Sequence, residues 1–197
     1  MQQAAAVGVA NHNGWPHLVT VAWSGEAPVV VDRRRVSLVD EALPNQPYHH
    51  EAAALPRSEA QALVDEVRRS ARANASVVLA TLLAELAPAC QVTALALRAT
   101  PFGALPDDVS EVLDYLPFTY IADAMLYLEA LNSAGAALGL SVTRHVRGAE
   151  FELAAERLAT DAAEVEAALK ELGRQLGPPW TQEHQRAAAA AIALLPP

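Results

Sequence analysis

The first forty residues consist of apolar runs separated by polar turns. The runs span residues 5–10, 18–23, 29–31 and 36–39. Residues 11–14 (Asn-His-Asn-Gly) join the first two runs, and these residue types tolerate the backbone angles of hairpin turns. The pattern predicts an antiparallel meander of three strands, or of four if residues 32–35 form a turn rather than the solvent face of one long strand.

Residues 58–88 carry apolar side chains at helical spacing. Ser58 followed by Gln61 predicts a capping box at the start of this helix, and Pro88 marks its end. The next run, residues 91–97, is apolar at nearly every position, as expected of a strand covered on both faces. Because the helix supplies the crossover that a parallel strand requires, we predict a parallel pairing here.

More helices and one more strand follow. Pro117 kinks or splits the next helical segment, Gly139 ends it, and residues 140–146 alternate in the manner of a strand. Thr160 and Thr181 are predicted caps of C-terminal helices. The element order is therefore three or four strands, helix, strand, helix, strand and then helices, which predicts the α/β class.

Two groups of reactive residues have simple interpretations. His49 and His50 lie in a proline-rich loop over residues 40–57, and neighbours on a loop rarely ligate one ion together. We interpret them as surface histidines, with their roles left open. Cys90 precedes a strongly apolar run, which favours a small buried residue over a nucleophile.

Length and charge narrow the function classes. The chain has 197 residues, 52% of them hydrophobic, so we expect a single domain over residues 1–197. A net charge of −9 disfavours nucleic acid and anionic membranes as partners, although a local basic patch is compatible with it. No leader pattern or membrane-length apolar run occurs, so we expect a cytoplasmic protein without membrane contact.

Two motifs resemble a known family. Residues 7–14 (VGVANHNG) resemble the first strand and turn of RuvC-type resolvases and related nucleases, where an apolar strand with a glycine ends in an acidic residue. Residues 180–185 (WTQEHQ), followed by an Ala-rich stretch, resemble their final helix. With the element order, these motifs imply a ribonuclease H-like fold: a mixed sheet of antiparallel meander plus parallel strands, with helical crossovers and C-terminal helices.

The resemblance implies a metal site whose acids are largely replaced here. In the family, carboxylates hold two magnesium or manganese ions that clamp a phosphodiester. In this chain Asn11 stands at the first-strand position, and the strand after the long helix ends in Arg98, again not an acid. The last helix keeps Glu183 beside His184. Asp123 is a possible displaced carboxylate, or else an exposed helical acid.

The fold hypothesis unites Asn11, His12, Asp123, Glu183 and His184 into one polar site. The predicted catalytic positions are Asn11, Asp123, Glu183 and His184, with Glu183 and Asp123 as metal ligands. We expect a catalytically degenerate binding or interaction module that forms a homo-oligomer through an Ala/Leu-rich helical face. The alternative is a divergent metal-dependent nuclease, and only this alternative requires magnesium or manganese. An actin-like nucleotide-binding protein is disfavoured because glycine-rich phosphate loops are absent.

Overall fold

The computed structural model of the protein describes residues 2–100 and 103–196. Its centre is a five-stranded sheet in the order β3-β2-β1-β4-β5. The strands are β1 (Gln3–His12), β2 (Trp15–Trp23), β3 (Pro28–Arg35), β4 (Cys90–Arg98) and β5 (Ser141–His145). β2 pairs antiparallel with β1 and β3, whereas β4 pairs parallel with β1 and β5. The predicted mixed sheet and α/β class are confirmed.

Helices cover both faces of this sheet. They are α1 (Arg57–Leu86), α2 (Val109–Leu113), α3 (Leu116–Ala137), α4 (Glu150–Leu158), α5 (Ala162–Leu176) and α6 (Gln182–Ile192). Alternate residues of β1 divide between two cores, because successive strand side chains point to opposite faces. Val7 and Val9 pack with α1 and α3, while Ala6 and Ala10 pack with α4, α5 and α6. Within the described residues, no helix is long and apolar enough to cross a membrane.

Gly8 lets α6 lie directly on the central strand β1. A Cβ atom built on Gly8 would be 1.8 Å from the carbonyl oxygen of Ala187. The residues of α6 that face the sheet are small, and Ala187 to Ala191 are all at most 2% exposed. A glycine inside a strand often marks a close approach of another backbone, and Gly8 has that role here.

Of the two alternatives predicted for residues 32–35, a turn or part of one long strand, the structure has the strand. β3 continues through residues 32–35 as one strand, so the meander has three strands. The side chain of Arg34 is paired with Asp32 at 2.8 Å and with Glu85 of α1 at 2.7 Å. Residues 36–39 are not a strand; they lie beside the β1–β2 turn, where the Leu38 amide donates to the Gly14 carbonyl.

Two of the predicted helix caps are wrong. The N-cap of α1 is Pro56, and Ser58 lies inside the helix, so no capping box forms there. Asp161 rather than Thr160 caps α5, because its carboxylate accepts the Glu164 amide at 2.8 Å. Thr181 is the N-cap of α6, as predicted. A short polar side chain followed by a helical pattern thus locates these starts only to within a few residues.

Candidate functional site at the strand ends

A cavity of about 430 Å³ lies where the last residues of β1 and β4 meet the first turn of α6. In open α/β sheets, ligands commonly bind outside the carboxyl ends of the strands. The lining residues are mostly polar or charged: Asn11, His12, Asn13, Trp15, Asn45, Gln46, Arg98, Arg147 and Glu183. We call this feature the strand-end cavity.

Glu183 faces two nitrogen-bearing side chains in the cavity. Its Oε2 atom is 4.0 Å from Nε2 of His12 and 4.0 Å from an Nη atom of Arg98. Both separations exceed hydrogen-bond length, so the three side chains face the same cavity without hydrogen bonds between them. Burial lowers the pKa of His12, although the Glu183 carboxylate opposes that shift. His12 is therefore mainly neutral near pH 7, and Arg98 is the cation of this trio.

Several polar atoms of this region are buried without a hydrogen-bond partner in the part of the chain that the structure describes. They are Oδ1 of Asn11, Nε2 of His12, and the Nε atoms of Arg98 and Arg186. Buried polar atoms in folded proteins are normally hydrogen-bonded, so unpaired ones call for an explanation. Three of these four atoms belong to residues that line the strand-end cavity, Asn11, His12 and Arg98, which is typical of a binding site.

A cluster of aromatic rings supports one wall of the cavity. The imidazole of His12 stacks on Trp15 with ring centroids 4.0 Å apart, and His17 lies 4.1 Å from His184. Burial, followed by the charges of His184 and His12, lowers the pKa of His17 to about 4. His184 is 3% exposed, and its Nδ1 accepts the backbone N–H of Thr181. The structure therefore places His184 in the cap of α6, behind the cavity.

Asp123 has a different position from the other predicted site residues. It is fully buried, and its two carboxylate oxygens accept the backbone N–H groups of Tyr48 and His49, each at 3.0 Å. Burial raises the pKa of Asp123 to about 6. The interpretation of Asp123 as an exposed helical acid is wrong, because the carboxylate fixes the loop before α1 onto α3.

The predicted site residues thus divide into two sets. Asn11, His12 and Glu183 line the strand-end cavity, whereas Asp123 and His184 do not. Within residues 2–100 and 103–196, no group of three His, Cys, Asp or Glu side chains has the geometry to hold a metal ion. These residues do not fit a two-metal centre. The metal-ligand roles of Glu183 and Asp123 stay predictions.

The sequence interpretation missed Arg98 and Arg147 as site residues. Arg98 ends β4 and lines the cavity with Arg147, which follows β5. Burial is the largest cause of the lowered pKa of Arg98; the charges of Arg147 and Arg186 also lower it, whereas those of Glu183 and Glu150 raise it. The replacement of an expected acid by Arg98 was visible in the sequence. This replacement removes a metal ligand from the site and also adds a positive charge to it.

The chain is similar to two solved structures of Thermus thermophilus RuvC. The structure of T. thermophilus RuvC in complex with a Holliday junction substrate superposes with a TM-score of 0.50 and 12% sequence identity, covering 96% of this chain and 91% of that one. This protein has the ribonuclease H-like fold of RuvC. A second Thermus thermophilus RuvC structure has a TM-score of 0.48 and 13% identity, covering 96% and 92% of the two chains. No protein-family model and no curated protein sequence matches the chain.

Proposed function

We propose that this protein is a catalytically degenerate ribonuclease H-like module, which binds a ligand in the strand-end cavity and does not cleave it. The observation that carries the proposal is Arg98, whose guanidinium lies 4.0 Å from Glu183 at the end of β4. A fixed positive charge beside the cavity's one carboxylate repels a divalent cation. The resemblance requires Glu183 to attract a metal ion, and the charge of Arg98 weakens that attraction.

Asn11 supports the same proposal from the end of β1. Its amide supplies a neutral oxygen, whereas magnesium in catalytic sites is usually bound through one or more carboxylates. Asn11 then contacts the ligand directly beside Glu183, while Asp123 and His184 belong to the scaffold. The RuvC structure to which the chain is similar was determined with a Holliday junction substrate, so nucleic acid is the first ligand class to test.

The deciding experiment combines a cleavage assay with a metal titration. Fluorescently labelled branched and single-stranded DNA is incubated with the protein in magnesium and in manganese, and manganese binding is measured by calorimetry. We expect no cleavage above a protein-free control, and equally weak manganese binding by the wild type and by Glu183→Gln.

A metal-dependent cleavage that disappears in Glu183→Gln would establish the divergent nuclease instead. Glu171→Gln is the matched control, because Glu171 is an exposed carboxylate of α5. It removes the same charge from a position outside the lining of the cavity, so it should leave cleavage and metal binding as they are in the wild type.

A homo-oligomer forms part of the same proposal, with its contact surface at the start of α3 in place of the predicted Ala/Leu-rich helical face. Large side chains are exposed at the start of α3, where Tyr115, Leu116 and Tyr120 are 54%, 59% and 53% accessible. Exposed apolar groups of this size are typical of contact surfaces when they lie together. Light scattering coupled to size-exclusion chromatography gives the mass directly, and a monomer at all concentrations would contradict this part of the proposal.

A further inference from the structure

We propose that the strand-end cavity is a phosphate site, in which the guanidinium groups of Arg98 and Arg147 bind the anion without a metal ion. This inference rests on the proposed binding function and names the chemistry of its ligand. It differs from metal-mediated recognition of a phosphodiester, because the positive charge comes from the protein itself.

The charges of the cavity support an anionic ligand. Two arginines, Arg98 and Arg147, line it against the single carboxylate of Glu183. Outside the lining, Arg186 and Glu150 act electrostatically on Arg98 with opposite signs, and Arg35 acts on His12 and His17. The whole chain carries a net charge of −9, so this excess of positive charge is local. A local basic cleft in an acidic protein attracts anions to that cleft alone.

The hydrogen-bond donors of the cavity match a phosphate group. Arg98 is only 20% exposed at its side chain, and its Nε atom has no acceptor among the described residues. Arg147 contributes a second fork of donors, and the side-chain amides of Asn13, Asn45 and Gln46 line the same space. A free or terminal phosphate presents at least three acceptor oxygens in different directions, whereas a carboxylate presents two. A cavity with donors on several sides therefore favours phosphate.

The aromatic wall argues against selection of a particular base. The indole of Trp15 is already stacked on His12, and the guanidinium of Arg35 lies 4.2 Å from its ring centroid. Proteins that bind single strands usually offer free aromatic faces on which bases stack. Since this indole makes its stacking contacts within the protein, we infer that phosphate charge and not base identity determines binding.

The first test is a titration with inorganic phosphate in the presence of a metal chelator, monitored by calorimetry or amide chemical shifts. We expect saturable binding that weakens at least about tenfold in Arg98→Gln and in Arg147→Gln, since each removes charge-assisted hydrogen bonds. Arg174→Gln is the matched control, because it makes the same change at an exposed position on α5. Its affinity should equal that of the wild type.

The second arm distinguishes a terminal phosphate from a phosphodiester backbone. The probes are a mononucleotide and a short single-stranded oligonucleotide, with and without a 5′-phosphate. Binding that requires the 5′-phosphate supports an end-binding site, and equal binding of both oligonucleotides supports a backbone site. In either case, oligonucleotides of different base sequence should bind equally.

Two results would overturn the inference. One is the absence of binding by any phosphate probe, and the other is unchanged binding in both Arg98→Gln and Arg147→Gln. Arg147 is exposed, so its variant keeps the test valid if Arg98→Gln does not fold. Failure of phosphate binding leaves the proposed non-catalytic function standing, whereas metal-dependent cleavage removes that function independently of phosphate affinity.

Discussion

Asp123 and Glu183 show how one side-chain chemistry serves two purposes in this fold. Asp123 is enclosed, and its two oxygens accept two backbone N–H groups of a distant loop. Glu183 borders an open cavity, and its nearest charged neighbours lie 4.0 Å away, beyond hydrogen-bond length. The first carboxylate has all its strong interactions within the protein. The second leaves the neighbouring Arg98 without a close acceptor among the described residues, so Arg98 has capacity left for a ligand.

From this difference we predict a structural region around Asp123 and, on the proposed function, a binding region around Glu183. Substitutions around Asp123 should change the free energy of unfolding and leave ligand affinity alone. Substitutions around Glu183 should do the reverse. Strand β1 connects the two regions, because its alternate side chains contact the helix layers on both faces of the sheet.

The largest effect is expected for Gly8→Ala, which tests whether β1 and α6 together build the cavity. The added Cβ would be 1.8 Å from the Ala187 carbonyl oxygen, so α6 must move away from the sheet. We expect a loss of more than about 3 kcal/mol in the free energy of unfolding, measured by urea denaturation.

Gly103→Ala is the control for this substitution, since a Cβ at Gly103 would meet no atom within 4 Å. Its effect should stay within about 0.5 kcal/mol. If Gly8→Ala were as stable as the wild type, the close approach of α6 to β1 would not be essential for stability. The division into two regions would then lose its structural basis.

Asp123→Ala should give the next largest change. It removes the acceptors of the buried Tyr48 N–H and the partly buried His49 N–H, which should cost about 2 to 4 kcal/mol of unfolding free energy. Asp123→Asn keeps one oxygen and should lose roughly half as much. Both variants should bind phosphate with wild-type affinity. If their affinity fell together with their stability, Asp123 would also affect the binding region, and the predicted difference from Glu183 would be wrong.

Local sequence patterns predicted the fold better than they predicted the site. The three-stranded meander and the strand at residues 91–97 follow from periodicity, which reports burial of whole faces. The burial of Asp123 depends on Tyr48, 75 positions away along the chain, and no local pattern contains that information. Arg98 was noticed only as a missing acid, since its value as a cation depends on Arg147 and Arg186.

Glu183→Gln should have a small effect on stability and a clear effect on binding. Its side chain is 30% exposed, so the free energy of unfolding should change by less than about 0.5 kcal/mol. Removal of the carboxylate leaves the charges of Arg98 and Arg147 unopposed, and phosphate affinity should rise about threefold to tenfold. Calorimetric titration measures this increase, and Glu171→Gln should not show it. A weaker affinity in Glu183→Gln would mean that the carboxylate helps to hold the ligand.

The smallest effect concerns the pH dependence of stability, in which the two regions oppose each other. The pKa of His17 falls from 6.5 to about 4 on folding, so the unfolded chain binds more protons between these values. Stability contributed by neutral His17 is therefore full above about pH 6.5 and is lost as the pH falls toward 4. His12 and His184 also have lowered pKa values and act in the same direction.

Asp123 acts in the opposite direction, because its pKa rises from 3.8 to about 6 in the folded protein. Its protonation favours the folded state at low pH, and this contribution is lost as the pH rises through that range.

His17→Phe keeps an aromatic ring but removes the titration, so its unfolding free energy should vary less with pH between about 7 and 4 than that of the wild type. Asp123→Asn should vary more, because the opposing carboxyl is gone. Urea denaturation of the three proteins across this range measures both slopes. Equal slopes would mean that neither region exchanges protons on folding, and that the contrast between the enclosed carboxyl and the cavity wall is one of packing alone.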